Sequence, residues 1–134
     1  ILRVKLPHLE KWTESRIENA RALRERLTPL ETTFPICLPK EGEGRHVYNQ
    51  FVVRTPLRDR LREVCEQKGI QTAVYYPKAL HQQVCFGFPS ESREVLPEAE
   101  KACKEVVALP IFPGLTEQEL DRIGEVITEF YEQG

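Results

Sequence analysis

The sequence contains no methionine and begins at Ile1, whereas a translated reading frame begins with methionine. We therefore expect a chain that was processed or that is a piece of a longer protein. No apolar run approaches the ~20 residues that span a bilayer, and no signal peptide opens the chain. The sequence thus argues against a membrane as a partner and indicates a domain of 134 residues, long enough to bury its own core.

An excess of charge of one sign is also lacking, since 19 lysines and arginines are balanced by 21 aspartates and glutamates, for a net charge of −2. Nucleic-acid binding needs a basic face that releases counterions, so this balance argues against it. Motifs for a phosphate loop, a serine nucleophile elbow or a zinc protease do not occur either. The three histidines, His8, His46 and His81, have no second ligand at metal-binding spacing, so we predict no metal site.

The four cysteines form no Cys-x-x-Cys pair, which argues against a zinc ribbon or a redox motif. A domain of this size does not need disulfides, and two of the four lie on the apolar faces of predicted helices. We therefore predict reduced, mostly buried thiols in a cytoplasmic protein. The four are Cys37, Cys65, Cys85 and Cys103.

Apolar residues at helical spacing predict a long first helix that ends near Leu27. Pro7 should bend or restart this helix because its ring removes one backbone donor, and Thr28-Pro29 should stop it. At 1.5 Å per residue such a helix would be ~40 Å long, more than a compact domain of this size needs. A helix of this length more often connects two bodies than lies inside one.

The remaining pattern alternates between strands and helices, which fits an α+β or α/β fold. Residues 46–54 and 70–76 are predicted strands, and the helix between them starts after Thr55-Pro56 and ends at Gly69. Further along we predict a helical turn within 78–86 and an exposed loop over 87–93.

The last part of the chain should hold a helix from Pro97, with Ala99, Ala102 and Cys103 inward, and a strand over 106–109. A capping box of Thr116 with Glu119 should then open a last helix. The apolar stripe of that helix comprises Leu120, Ile123, Ile127 and Phe130.

A cluster of arginines follows the first predicted strand. Its members alternate with Asp59 and Glu63, a pattern typical of the solvated face of an amphipathic helix. We therefore predict that these arginines point to solvent. The four are Arg54, Arg58, Arg60 and Arg62.

One segment, residues 75–81, carries more chemistry than a scaffold needs. It places Tyr75, Tyr76 and His81 at the exit of a predicted strand, where α/β proteins often position ligand groups. Tyrosine offers a stacking face and a hydroxyl, and histidine offers a donor and an acceptor, which suits a hydroxylated ligand such as a sugar. The alternative is a tyrosine pair that packs under the following turn, and composition does not decide between the two.

Seven segments of the chain also occur in a specific order, although each is weak on its own. They are residues 1–6 with Leu9, 46–54, 58–61, 69–77, 80–81, 97–100 and 108–116. In this order they resemble the pyridoxal-phosphate-dependent nucleotide-sugar aminotransferases, also called the DegT/StrS family. The resemblance covers nearly the whole chain.

This resemblance implies the C-terminal part of an enzyme with the aspartate-aminotransferase fold (fold type I). Residues 1–30 would be a connecting helix and residues 31–134 a small α+β domain, with an antiparallel or mixed sheet of about 3–4 strands covered by helices. A large N-terminal domain, absent from this chain, would hold the pyridoxal phosphate and its Schiff-base lysine. Lys78 is therefore not expected to be that lysine.

The resemblance also implies a reaction, the transfer of an amino group from glutamate to a keto-sugar nucleotide by a homodimer. In the family, the segment matching Tyr75-Tyr76-Pro77 enters the active site, often that of the neighbouring subunit. We expect substrate contacts from Tyr75, Tyr76, His81 and Asn49, and no catalytic or cofactor-binding residue in this chain. The chain alone should be inactive; the alternative is a stand-alone α+β interaction or regulatory module without catalysis.

Overall fold

The structure is a computed structural model that describes residues 1–86 and 96–133. Helices dominate these ranges, and the loop predicted over 87–93 lies outside them. The helices are α1 (Leu2–Lys5), α2 (Leu9–Thr33), α3 (Arg58–Gln67), α4 (Pro97–Glu105) and α5 (Glu117–Gln133), the strands are β1 (Phe51–Arg54) and β2 (Val106–Leu109), and the 3-10 turns are Leu6–His8, Leu80–Gln82 and Val84–Phe86.

The sheet is small and antiparallel, as the resemblance implies. β1 and β2 pair along their whole length. Single antiparallel bridges add a segment on each side, because Cys37 pairs with Arg54 and Ala73 pairs with Ala108. The strand predicted over 70–76 is thus reduced to one bridge, and the described sheet has two strands rather than the expected 3–4. The expected fold class, α+β with helices covering a small sheet, is confirmed.

The two faces of the sheet differ in their surroundings. Phe51 and Val53 are fully buried in the core with residues of α2, α3 and α5, whereas Val52 lies half-buried on the other face. Residues directly opposite one another in an antiparallel pair share a face, so Ala108 and its partner Ala73 lie beside Val52. We call the face that carries Val52, Ala73 and Ala108 the open face.

Local sequence signals set several helix ends as predicted. The N–H of Thr116 donates to Oε2 of Glu119 at 2.8 Å and the N–H of Glu119 donates to Oγ1 of Thr116 at 3.3 Å, which is the capping box that precedes α5. Gly69 follows α3 with φ +78°, and the N–H of Ile70 donates to the carbonyl of Cys65 at 2.8 Å, as in a Schellman motif. The predicted stripe of α5 is buried and comprises Leu120, Ile123, Ile127 and Phe130.

Pro29 lies inside α2, so the predicted end of the first helix near Leu27 is wrong. A proline removes one backbone hydrogen bond from a helix and crowds the preceding turn. Leu30, which follows it, is nevertheless buried in the core, and helix α2 continues to Thr33. Burial of the next turn therefore outweighs the local cost of the proline, whereas Pro7 does interrupt the helix, within a 3-10 turn, as predicted.

Arg58 is turned inward, which contradicts its prediction as a solvated residue. Its side chain is only 13% exposed, and Nη1 donates to the carbonyls of Cys103 and Val106 at 3.3 and 3.4 Å. These carbonyls mark the point where α4 runs directly into β2. Cationic side chains stabilise the carbonyl end of a helix, which explains why Arg58 is drawn from solvent.

α4 begins at Pro97 as predicted, but its packing differs from the prediction. Ala99 is exposed rather than inward, Ala102 and Cys103 are half-buried, and no residue of this helix is buried. Polar contacts from β1 and α3 hold the helix instead, since Nε of Arg54 lies 2.6 Å from the carboxylate of Glu105.

The cysteines are free thiols, but the prediction that most are buried is wrong. Cys65 is buried and Cys103 is half-buried, whereas Cys37 and Cys85 are exposed. Cys37 lies in an extended segment whose flanking residues point into the core, so its own side chain points to the opposite side.

We expect the thiols to differ sharply in reactivity. Burial raises the pKa of the Cys65 thiol to about 11, and only the thiolate is nucleophilic. In the native protein at pH 8, iodoacetamide should therefore alkylate Cys65 at least about 100-fold more slowly than Cys37 or Cys85, as followed by mass spectrometry of peptides. The difference should vanish in urea, and equal native rates would show that Cys65 is not in the core.

Candidate functional site

The two tyrosines of the predicted site lie at the edge of the sheet, directly after the bridge at Ala73. Tyr75 is 55% exposed and Tyr76 is 68% exposed. They therefore do not pack under the following turn, which was the alternative explanation for the pair. Their rings and hydroxyls face solvent and are available to a ligand.

Two adjoining hollows bring three of the four predicted site residues together. The smaller, of about 60 Å³, lies on the open face and is lined by Tyr75 and Tyr76. The larger, of about 520 Å³, is lined by Asn49, and the two hollows share Gln50 and Val52. A ligand that spans both hollows would contact the tyrosine rings and the Asn49 amide.

A sharp turn of the backbone precedes Asn49 and shortens the strand predicted over 46–54. Tyr48 has φ +44°, a conformation that costs a non-glycine residue about 1–3 kcal/mol. Its side chain is buried, its hydroxyl donates to Oε1 of Glu41 at 2.9 Å, and its N–H donates to Nδ1 of His46 at 3.0 Å. These contacts offset the strain and fix the backbone from which Asn49 extends into solvent.

The same contacts involve a hydroxyl and an imidazole beside the larger hollow. Burial, together with the hydrogen bond to Glu41, raises the pKa of the Tyr48 hydroxyl, which therefore stays neutral. Because Nδ1 of His46 accepts a hydrogen bond, the neutral ring carries its proton on Nε2. Arg45, at the rim, is paired with Glu10 at 2.5 Å. Tyr75, Tyr76 and Asn49 thus offer hydroxyl and amide groups, which suit hydroxyls of a ligand.

His81, the fourth predicted site residue, is placed differently. Its Nε2 lies 3.0 Å from Oε1 of Glu100 on α4, and its side chain is only 14% exposed. His81 lines neither of the two hollows. The structure therefore brings Tyr75, Tyr76 and Asn49 together, while His81 is engaged by a carboxylate.

Across residues 1–86 and 96–133, no three His, Cys, Asp or Glu side chains converge in a way that could hold a metal ion. No helix within the described part of the chain is long and apolar enough to cross a membrane.

The comparison with protein families gives a clear match. The model of the DegT/DnrJ/EryC1/StrS aminotransferase family matches residues 1–128. The chain belongs to this family. The resemblance inferred from the seven segments is thereby confirmed.

Relatives of this DegT-family chain are about three times as long as the chain itself. The "Pleiotropic regulatory protein" of Geobacillus stearothermophilus is 45% identical over 98% of this chain and 35% of its own length. The UDP-N-acetyl-3-dehydro-alpha-D-glucosamine 3-aminotransferase of Acidithiobacillus ferrooxidans is 34% identical over 95% of this chain and 33% of its own length. The chain therefore spans about a third of the curated relatives that it matches.

A solved structure has the same fold over this region. The crystal structure of S. venezuelae DesV in complex with a ketimine intermediate superimposes with a TM-score of 0.83 and 32% sequence identity. The match covers 98% of this DegT-family chain and 35% of DesV.

Sequence reasoning missed two features of the candidate site in this DegT-family chain. The partner of His81 is Glu100, 19 residues away, and no spacing rule joins a loop histidine to a helix that far along the chain. The second feature is Val52, which lines both hollows. A signal for it was present in the sequence, because the alternation of β1 places Val52 on the face opposite Phe51 and Val53.

Proposed function

We propose that this chain is the C-terminal part of a pyridoxal-phosphate-dependent aminotransferase that moves an amino group from glutamate to a keto-sugar nucleotide. The family match over residues 1–128 carries the proposal. The name of the Acidithiobacillus relative, an aminotransferase of a UDP-linked 3-dehydro sugar, supports the substrate class. Since the chain spans about a third of its relatives, the rest of the protein would hold the cofactor and its lysine.

The N-terminal end of the chain supports a connection to further protein. A stripe of apolar side chains there is exposed, from 96% at Ile1 to 50% at Leu9, and such a patch is unusual on an isolated domain. In our proposal residues 1–30 connect a large domain to the small domain of residues 31–134, within a cytoplasmic homodimer. The stripe comprises Ile1, Leu2, Val4, Leu6 and Leu9.

The described residues of this chain do not fit the cofactor itself. A lysine that forms an imine must be shielded from water, and Lys78, beside the tyrosines, is exposed. Pyridoxal phosphate, bound elsewhere in the protein, supplies the electron sink for amino transfer. The part left to this chain is to bind and orient the sugar. Hydroxyls and ring faces of Tyr75 and Tyr76, with the amide of Asn49, can do this without taking part in proton transfer.

The test compares this chain with the full-length protein. Full-length protein, supplied with pyridoxal phosphate, glutamate and UDP-N-acetyl-3-dehydro-glucosamine or other keto-sugar nucleotides, should release 2-oxoglutarate and an aminated sugar nucleotide, both detected by mass spectrometry. This chain alone should give neither product and should not retain cofactor after borohydride reduction. Stoichiometric covalent attachment of cofactor to the chain alone would contradict the proposal that the cofactor lysine lies in the rest of the protein. Full-length protein without amino-transfer activity would overturn the proposed function.

The name of the Geobacillus relative favours a second candidate, a regulatory module without catalysis. The same assay separates the two, because a regulatory module gives no aminated sugar in either form of the protein. We prefer the aminotransferase because exposed tyrosines and an amide around two hollows are suited to binding a small hydroxylated ligand.

A further inference from the structure

Within residues 1–86 and 96–133, no backbone hydrogen bond connects the segment of His81 with α4, and the side-chain contact between His81 and Glu100 joins them. The two side chains are 14% and 29% exposed, and Nε2 lies 3.0 Å from Oε1. A hydrogen bond at this level of burial competes less with water than one on the open surface. The contact can therefore hold the segment that contains His81 against α4.

The segment that contains His81, residues 75–85, is mostly exposed or half-buried. Between Tyr75 and Cys85 the only buried residue is Ala79. Its two 3-10 turns provide bonds within the segment, such as the one from the N–H of Gln82 to the carbonyl of Ala79 at 2.9 Å, and these do not attach it to the rest of the fold. Removal of the His81 contact should therefore have a large effect on its position.

α4, in contrast, is a fixed support. It continues without a loop into β2, and Arg58 binds the carbonyls of Cys103 and Val106 at this junction. The 2.6 Å contact between Arg54 and Glu105 adds a second attachment to β1. Glu100 thus presents its carboxylate from a helix anchored to the sheet.

The tyrosines of the candidate site lie between two attachment points. Upstream, Ala73 exchanges two backbone hydrogen bonds with Ala108, at 2.8 and 3.1 Å. Downstream, His81 is attached to Glu100. Tyr75 and Tyr76 are themselves exposed, so their positions depend on these two ends rather than on their own packing. Release of one end would increase the entropy that a ligand must remove when it orders the tyrosines.

We propose that His81 is a positioning residue, which acts through its contact with Glu100 to hold Tyr75 and Tyr76 in place for the sugar substrate. His81 then does not touch the substrate, which revises its sequence-based assignment as a substrate ligand. The proposal rests on the proposed function, since a substrate must bind the tyrosines for their placement to matter. The attachment itself can be measured without substrate.

The test is a double-mutant cycle in the full-length protein, with variants H81A, E100A and both together. The amides of Gln82 and Gln83, which are hydrogen-bonded within the segment, should exchange hydrogen about tenfold faster in each variant, and the double variant should match the single ones because one contact is lost in all three. E100Q should remain close to the unmodified protein, because its amide oxygen still accepts from Nε2–H. K78A, an exposed neighbour in the same segment, serves as the matched control and should leave exchange unchanged.

Kinetics on UDP-N-acetyl-3-dehydro-glucosamine distinguish positioning from direct contact. Both single variants should raise KM about tenfold with kcat within about twofold, and E100Q should restore KM. A change of KM or kcat in H81A alone, with E100A unchanged, would show that His81 contacts the substrate and would overturn the proposal. Unchanged exchange in all variants would overturn it as well. Accelerated exchange in a protein without aminotransferase activity would defeat the proposed function and, with it, the role in substrate positioning, while the attachment stands.

Discussion

Replacement of Phe51 by alanine should destabilise this chain by about 3–5 kcal/mol, a large part of the 5–15 kcal/mol that holds a typical domain together. Phe51 is fully buried, pairs with Leu109 of β2 and stacks on Tyr48 with ring centroids 6.1 Å apart. Its removal leaves a cavity between the sheet and the helices, which a close-packed core refills only in part. Urea unfolding followed by circular dichroism measures the loss as a lower midpoint at an unchanged m-value.

The neighbouring residue provides the control. Val52 is half-buried on the open face, so V52A should cost about 1 kcal/mol or less. A shift of β1 by one residue would exchange the two faces and reverse the order of the two variants. A larger loss for V52A than for F51A would therefore disprove the register of β1 against β2.

Elements with a signal within a few residues could be predicted from the sequence. Thr116 and Glu119 form the capping box that precedes α5, and Gly69 ends α3, because each acts on backbone groups of its own turn. The apolar stripe of α5 was predicted for a similar reason, since it repeats with the period of the helix. The stretches that could be predicted are thus those in which local preference and global packing agree.

The features that sequence reasoning missed depend on residues far apart in the chain. Pro29 stays inside α2 because the core buries the turn that follows it, and Arg58 turns inward because the end of α4 lies nearby. Tyr48 adopts a positive φ because its buried ring and Glu41 hold it there. None of these partners is evident from spacing, so the local preference of each residue gave the wrong expectation.

The candidate site shows the same limit. The candidate residues Tyr75 and Tyr76 were predictable from their segment, and the structure places them in a hollow that adjoins the one lined by Asn49. The contact between His81 and Glu100 was not, because a histidine in a loop and a glutamate in a distant helix each have many possible partners. Geometry, rather than residue type, separates a ligand-binding side chain from one that holds the segment.

The largest functional effect should come from Tyr76. In the full-length protein, Y76A should lower kcat/KM for the keto-sugar nucleotide by about 10- to 100-fold, because a stacking face and a hydroxyl are lost together. Y76F keeps the ring and should lose only about three- to tenfold. The measurement is the initial rate of 2-oxoglutarate formation at varied sugar concentration and saturating glutamate.

Stability separates this effect from damage to the fold. Tyr76 is 68% exposed, so Y76A should change the free energy of unfolding by no more than about 0.5 kcal/mol. K78A, two residues away, should retain the full rate, since in our proposal the lysine that forms the cofactor imine lies outside this chain. Unchanged kcat/KM in Y76A would remove the tyrosine from the substrate site, and an inactive K78A with intact stability would place the catalytic lysine in this chain after all.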